Sequence, residues 1–302
     1  SVYYTQSLKP KDILTIMKEK QVDFMIVVPA FLKLLKTSIE AELNNSSKAS
    51  RSMFKAMYAA AKFIPFYSIK KLMFKKIHDK FGGHFIGCIS GGAPLDIEVG
   101  KFFERIGIKV YQGYGLSEAS PVVSINTDKR RELASVGKPL KTFTAKVDSE
   151  TGELILKGPA VMKGYHNQPE MTASVIDSDG WLHTGDIAKI DKDGHIFITG
   201  RIKNMIVLSG GKKVFPEEVE AVLEKSSYFA EVCVLGISRT FGAKDGTEEI
   251  AAVIVPADEL ISKYDDETLD KLIRSEVKTL SGRLTAYKRP VNTVSYTHLR
   301  AH

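Results

Sequence analysis

Apolar and polar residues alternate along the chain in two distinct rhythms. KPKDILTIMKEK, opened by Pro10, has the spacing of an amphipathic helix, and FMIVVP, ended by Pro29, reads as a short buried strand. Helical spacing dominates from Ala30 to His78, with a polar break at Asn44–Ser47. FIGCIS (Phe85–Ser90) is then a buried strand that runs into the turn GGAP. The helix LDIEVGKFFERIG follows, with an acid in its first turn and Gly107 at its end, and IKVYQ (Ile108–Gln112) is a further strand. Strand, helix and strand at this spacing predict a parallel α/β unit whose ligand site lies beyond the strand C-termini.

After Ser124 the rhythm changes to short strands and frequent turns, GELILKG and then GHIFITG behind the turn DKDG, which predicts a β-rich subdomain. Past Arg201 the expected order is a hairpin (NMIVLSGGKKVF), a helix opened by Pro216 and two acids, two strands (EVCVLGIS and EIAAVIVPA) and a helix (DETLDKLIRSEVKTL). That is a small α+β unit. No internal repeat and no low-complexity segment interrupts the pattern.

Length and composition narrow the classes. The 302 residues, 43% hydrophobic and 26% charged, suit a globular chain of two domains. No apolar run reaches 18 residues, so no transmembrane helix is expected. The start, SVYYTQSLKPKD, has neither an initiator Met nor a signal pattern and reads as an internal cut. Cys88 and Cys233 each lie in an apolar strand, which predicts two buried free thiols in a reducing compartment such as the cytoplasm. The net charge of +7 is uneven: positions 51–80 hold eight Lys or Arg against one acid, interleaved with Phe, Met and Leu. Such a stretch is either a solvated basic face beside a core stripe or a surface for anionic membrane. Nothing resembles a nucleic-acid-binding motif.

Three strings carry chemistry. SGGAPL (Ser90–Leu95) places Gly91 and Gly92 where a strand ends, so that a flat ring or a phosphate can approach the backbone; a plain tight turn would look the same. YQGYGLSEAS (Tyr111–Ser120) follows the next strand. Its Gly113 and Gly115 permit unusual backbone angles, Tyr114 offers a stacking face, Ser117 can donate to a phosphate oxygen, and Glu118 is a hard carboxylate for Mg2+. GWLHTGD and DGHIFITGR set Asp186 and Arg201 fifteen positions apart across a hairpin around Asp191–Gly194, where the carboxylate can accept from two ribose hydroxyls and the guanidinium can donate to the same sugar. Trp181, the single tryptophan, reads as structural.

These strings, with GELILKGPAVMKGYHNQPEMT and GRIKNMIVLSGGKKVFPEEVE, stand in the order and spacing of the adenylate-forming acyl-CoA synthetases, the AMP-binding enzymes. The resemblance runs to about Pro290. VVPAFLKLL, KFIPFYSIKKLMFKKIHDKFGG and LSGGKKVFPEEVE are similar to the long-chain fatty acid–CoA ligase group. It implies an α/β fold: the C-terminal part of a large α/β plus β-barrel AMP-binding domain over 1–201, then a small mobile α+β C-terminal domain over 202–294, with 295–302 a tail foreign to the family. It also implies ATP, Mg2+ and CoA as cofactors and a fatty acid as substrate. A carboxylate attacks the α-phosphate of ATP to give acyl-AMP and pyrophosphate, and the CoA thiol then displaces AMP. On this resemblance Gly92, Ala93 and Pro94 line the adenine. Gln112, Gly113, Tyr114, Gly115, Leu116 and Ser117 meet adenine, phosphate and acyl carbonyl, and Glu118 binds Mg2+. Asp186 and Arg201 hold the ribose, Lys203 is the hinge, and Ser209, Gly210 and Lys212 face CoA.

The sequence departs from the family pattern in two places. No Ser/Thr/Gly-rich phosphate loop with its lysine occurs between Ser1 and Gly91, and VNTVSYTHLRAH after Pro290 contains no lysine where the final catalytic one is expected. The chain alone is therefore expected to be inactive. Two other readings stay open: an adenylating enzyme of the same fold that loads a carrier protein, and a non-catalytic membrane-associated binding protein.

Overall fold

A computed structural model describes the chain except for residues 1, 6, 8, 130, 210, 239–247 and 297–302. Two compact units divide it: Ser1–Ala145, Leu156–Leu182 and Ile190–Phe197 form the first, and Lys146–Ile155, His183–Lys189 and Ile198–His302 the second.

In the first unit the helices are α1 (Pro10–Lys20), α2 (Pro29–Asn44), α3 (Lys48–Ala61), α4 (Tyr67–Met73), α5 (Lys75–Lys80) and α6 (Ile97–Arg105). The strands are β1 (Phe24–Val27), β2 (Gly87–Ser90), β3 (Lys109–Gly115), β4 (Val122–Ile125) and β5 (Lys138–Pro139), and they make one sheet in that order. The pairs β1–β2 and β2–β3 are parallel, whereas β3–β4 and β4–β5 are antiparallel. Helix α6 shows why the expected α/β unit forms. Asp96 caps it by accepting from Glu98 N at 2.8 Å, and Val99, Phe102 and Phe103 bury one stripe against the core with Ile106 and Ile108. Gly107, at φ +89°, closes the helix; a Cβ there would lie 2.8 Å from Lys71 N.

Two expectations are corrected here. The strand expected to be buried, β1, is an edge strand with one neighbour among the described residues, and Phe24 and Ile26 are 45% and 83% exposed. Strand β3 does not stop at Gln112 but continues to Gly115, because Gly113–Gly115 leave β2 behind and pair with the returning β4.

The β-rich stretch is a four-stranded sheet of β6 (Thr144–Val147), β7 (Glu153–Lys157), β8 (Leu182–Ile190) and β9 (Ile196–Arg201), in that order. Helix α7 (Pro169–Val175) lies between β7 and β8 in sequence. At the start of β9, Ile196 exchanges two backbone bonds with the stretch before β5, Val136 N to Ile196 O and Ile196 N to Gly137 O, each at 2.9 Å. The expected β8–β9 turn forms on Asp191, whose carboxylate accepts from the backbone N–H groups of Asp193 and His195, each at 2.9 Å.

The rest of the second unit contains the expected hairpin β10 (Ile206–Val207) and β11 (Lys213–Val214), then α8 (Pro216–Leu223), β12 (Phe229–Ser238), β13 (Glu248–Pro256) and α10 (Asp266–Ser281), and adds two elements not foreseen, α9 (Asp258–Ile261) before α10 and β14 (Asn292–Ser295) after it. Strands β12, β13 and β14 make one sheet, against which Leu269, Ile273 and Val277 of α10 pack with Val219 and Leu223 of α8. Ser295, where the foreign tail was expected to begin, pairs with Ile254, and Tyr296 N donates to Ile254 O at 2.8 Å; 297–302 lie outside the described residues.

The two thiols differ. Cys88 is buried, and burial pushes its thiol up to about 12. Cys233, expected buried, is exposed: Val234 points into the core, and the alternation of β12 turns its neighbour outward. Among the described residues no helix is long and apolar enough to cross a membrane.

Candidate functional site

The two glycine strings of the first unit meet backbone to backbone. Gly91 N donates to Val27 O at 3.2 Å, and a Cβ on Gly91 would stand 3.2 Å from Gly113 O, so β2 and β3 release their C-terminal turns side by side. Gly92 follows in the left-handed region at φ +82° with open space around it, and Ala93 and Pro94 are exposed. Gly115 has no alternative, since a Cβ there would lie 1.7 Å from Pro121 O. Beyond it Leu116 leads into a 3-10 turn, Ser117–Ala119, that ends on Ser120 at φ 56°, a strained conformation for a residue with a side chain. This sharp reversal leaves Ser117 exposed and Glu118 and Tyr114 half-buried. Gln112 is arranged differently: it is buried, and its amide donates to Leu133 O.

Glu118 is held at two points by the segment after β7. Its backbone carbonyl accepts from Met162 N at 2.8 Å, and its carboxylate Oε1 accepts from the Tyr165 hydroxyl at 2.8 Å. That bond raises the Tyr165 hydroxyl above its ordinary range. Among the described residues no group of three or more His, Cys, Asp and Glu converges on a metal position. One carboxylate nonetheless fits Mg2+, which keeps several waters and takes its other ligands from nucleotide phosphate.

Behind the turn, an ion pair braces β3. The first half of that strand has β2 on one side only, and on the other side Glu104 of α6 accepts from Val110 N at 3.1 Å. Arg131 grips the same carboxylate with two bonds, Nε to Oε1 at 2.8 Å and Nη2 to Oε2 at 3.1 Å. The guanidinium lies 5.3 Å and 5.0 Å from the ring centroids of Tyr67 and Tyr111. The Tyr67 hydroxyl donates to Glu104 and accepts from Arg131, and its burial raises its pKa. Tyr111, pushed up to about 12 by burial and by its 2.7 Å bond to Asp128, completes the cluster.

In the second unit Asp186 and Arg201 meet as the hairpin predicts. Arg201 Nε is 2.7 Å from Asp186 Oδ1; the aspartate side chain is 4% exposed, whereas the arginine side chain is 62% exposed. The strand is irregular at this point, with Gly185 at φ +73°. Glu153, a residue the sequence reading did not single out, supports the irregularity. One of its oxygens accepts from Gly185 N at 2.7 Å and the other lies 2.9 Å from His183 Nδ1, while Thr184 Oγ1 donates to Leu154 O at 2.6 Å. A carboxylate at a buried strand position, inside GELIL, was the signal available for it.

Lys203 sits exposed in a 3-10 turn, Ile202–Asn204, directly after β9. Ser209 and Lys212 are exposed at the β10–β11 turn, and Lys212 Nζ lies 4.8 Å from the centroid of the Tyr287 ring; Gly210 lies outside the described residues.

A sequence profile described as AMP-binding enzyme matches residues 1–166. The long-chain-fatty-acid–CoA ligase of Bacillus subtilis is 39% identical over 215 residues, which cover 67% of this chain and 36% of that protein. The Arabidopsis thaliana long-chain-fatty-acid–[acyl-carrier-protein] ligase AEE15 is 37% identical over 228 residues, covering 69% of this chain and 30% of the relative. ATP-bound MatB from Rhodopseudomonas palustris superposes on 99% of this chain and 51% of its own with a TM-score of 0.70 and 26% identity. O-succinylbenzoate coenzyme A synthetase of Bacillus subtilis, in complex with ATP and magnesium, shares the fold at a TM-score of 0.68 and 23% identity, over 97% of this chain and 51% of that one. The chain thus spans about a third of the length of these curated relatives and about half that of the solved structures.

Proposed function

The chain belongs to the AMP-binding enzyme family, and we propose that it provides the nucleoside-holding part of an acid–thiol ligase that activates a long-chain fatty acid. The observation that carries this reading is the buried Asp186 carboxylate with Arg201 Nε 2.7 Å away. A buried acceptor beside an exposed guanidinium suits the vicinal hydroxyls of a ribose, which donate to the first and accept from the second. Gly92, Ala93 and Pro94 line the adenine, and Gly113 to Ser117 meet the adenine, the α-phosphate and the acyl carbonyl. Gln112 contributes through its backbone, its amide being engaged by Leu133 O. Glu118 would hold Mg2+, which when bound would offset phosphate charge. Lys203 is the hinge, and Ser209 and Lys212 face the incoming thiol.

In the reaction, a carboxylate oxygen forms a bond to the α-phosphorus as the bond to pyrophosphate breaks. The CoA thiol sulfur then bonds to the acyl carbon, and AMP leaves with the electron pair of the acyl–oxygen bond. What the residues here contribute is orientation and a preorganised polar surface. No string among the 302 residues supplies the phosphate-loop lysine or the final catalytic lysine, so this chain is proposed to bind nucleotide without turnover. ATP–pyrophosphate exchange by the purified chain would overturn that part. For the ribose assignment, calorimetry of ATP binding is the test: Asp186→Ala is expected to weaken it by tenfold or more, and unchanged affinity removes Asp186 from the site.

The relatives' names divide over the acceptor, CoA in one and acyl carrier protein in the other. We take CoA as the acceptor; offering both thiols to a longer enzyme carrying this sequence separates the alternatives. A cytoplasmic chain with peripheral contact to anionic membrane through 51–80 is a second reading, favoured by Phe63, Phe66 and Leu72 at 81%, 62% and 74% exposure. The stretch holds fewer available charges than its sequence suggests, because Lys70 is buried and Lys75 and Lys80 pair with Asp79 and Glu42. Co-flotation with phosphatidylglycerol vesicles, lost in Phe63→Ser/Phe66→Ser, supports it; equal recovery with neutral vesicles counts against it.

A further inference from the structure

We propose that Tyr165 is a positioning residue for the Glu118 carboxylate, acting through that carboxylate on a cation-bound nucleoside polyphosphate; the proposal rests on the functional reading above. Glu118 stands on a three-residue turn, half-buried, and a side chain so placed has several rotamers open to it. The Tyr165 hydroxyl selects one by donating to Oε1 at 2.8 Å. A phenol bound to a carboxylate makes a strong, directional bond without neutralising the charge, which an arginine or lysine in the same place would do. The carboxylate is thereby oriented and keeps its full negative charge for a divalent cation.

Tyr165 is itself fixed by a latch at the start of α7. Its backbone N–H donates to Thr172 Oγ1 at 2.9 Å, and Thr172, in α7, anchors itself by donating to Gln168 O at 2.8 Å. Gly164, at φ +150°, lets the chain pass so close to Thr172 that a Cβ would stand 2.8 Å from its methyl carbon. Met162 N, bonded to Glu118 O at 2.8 Å, ties the start of the same segment to the turn. Residues 162–172 therefore form a bracket with one end on the Glu118 backbone and the Tyr165 hydroxyl on its side chain. Three of the contacts lie within the bracket's own chain, so its shape does not depend on a ligand. Tyr165 and Thr172 also line an open cleft of about 470 Å³ with Lys163, Gly164 and Asn167.

The test measures ATP affinity of the 302-residue chain by calorimetry, with Mg2+ and with excess EDTA, for the unsubstituted protein, Tyr165→Phe, Glu118→Gln and the double variant. Tyr165→Phe is expected to reduce the affinity gained from Mg2+ by about tenfold, the worth of one charge-assisted bond, and to leave affinity in EDTA unchanged. The double variant is expected to lose no more than Glu118→Gln alone. An unaltered Mg2+ gain in Tyr165→Phe overturns the proposal, as does an equal loss with and without metal, which marks a structural role only. ATP binding that is absent from the unsubstituted chain overturns the functional reading and this proposal with it. Binding that is retained but indifferent to Tyr165 overturns this proposal alone.

Discussion

The strand and turn of 111–120 and the hairpin of 182–201 each present a carboxylate, and they hold it in opposite ways. Asp186 is buried on a long strand, and the charge that partners it, Arg201, is 62% exposed. Glu118 is half-buried on a short turn, and its partner is a neutral phenol. In the first region the buried ion pair, Glu104 with Arg131, lies behind the turn and braces the strand that leads to it. In the second the ion pair is itself the group proposed to face the nucleotide. A pair that serves architecture can be closed on both sides by aromatic rings. One that serves a ligand keeps one member open to solvent and thereby gives up electrostatic strength to screening.

This contrast can be broken most forcefully at Arg131. Its side chain and that of Glu104 are 9% and 17% exposed, so Arg131→Leu leaves an uncompensated charge in the interior. A loss of about 3–5 kcal/mol in urea unfolding is expected; a loss below that of Arg201→Ala would invert the contrast. Next in size is Arg201→Ala, which strips the buried Asp186 of its guanidinium partner and is expected to cost about 1–3 kcal/mol. The reverse change, Asp186→Asn, keeps an acceptor oxygen at the buried position and parts an exposed arginine from its mate, and should cost less than about 1 kcal/mol. Equal costs for the two variants would show that burial does not decide the asymmetry.

A smaller effect sharpens the picture within the first unit. His78 is 1% exposed, its Nε2–H donates to Ile106 O at 2.8 Å, and Nδ1 is buried without a partner. Burial holds its pKa below the ordinary 6.5, with nearby Lys71 adding to the shift and Asp79 opposing it. The unfolded chain therefore takes up this proton first as pH falls. The stability that neutral His78 brings is complete above about pH 6.5 and declines as pH drops below that value. Melting temperatures between pH 7.5 and 5 should show this decline, and His78→Gln, which keeps a donor for Ile106 but cannot titrate, should flatten it. A decline that persists in the variant assigns the acid sensitivity elsewhere.

Most of the element order was legible because it rests on local rhythm. The strand–helix–strand unit around α6, the β8–β9 hairpin with its Asp191 turn, and the run from β10 to α10 apart from α9 follow from periodicity and turn residues close in sequence, whereas β14, which joins β13 in parallel, was not foreseen. The meeting of Asp186 with Arg201 was legible for the same reason, since a hairpin relates positions by simple counting. Glu153, Tyr165 and the Glu104–Arg131 pair were not. Their partners lie 30, 47 and 27 positions away, at distances set by tertiary packing and not by any repeat. The exposure of Phe24, Ile26 and Cys233 was misjudged on similar grounds, because an apolar run reports strand propensity without reporting how many layers cover it.

The open edge of β1 has a practical consequence for handling the molecule. A strand with one neighbour offers a row of unpaired amides and carbonyls, and here Ile26, at 83% exposure, adds a greasy contact to that row. Purified chains at high concentration are expected to stack edge to edge, so light scattering should rise with concentration before any ligand is added. Ile26→Lys places a gatekeeper charge on the edge and touches none of the groups assigned to nucleotide, cation or thiol, which makes it a suitable background for the binding measurements.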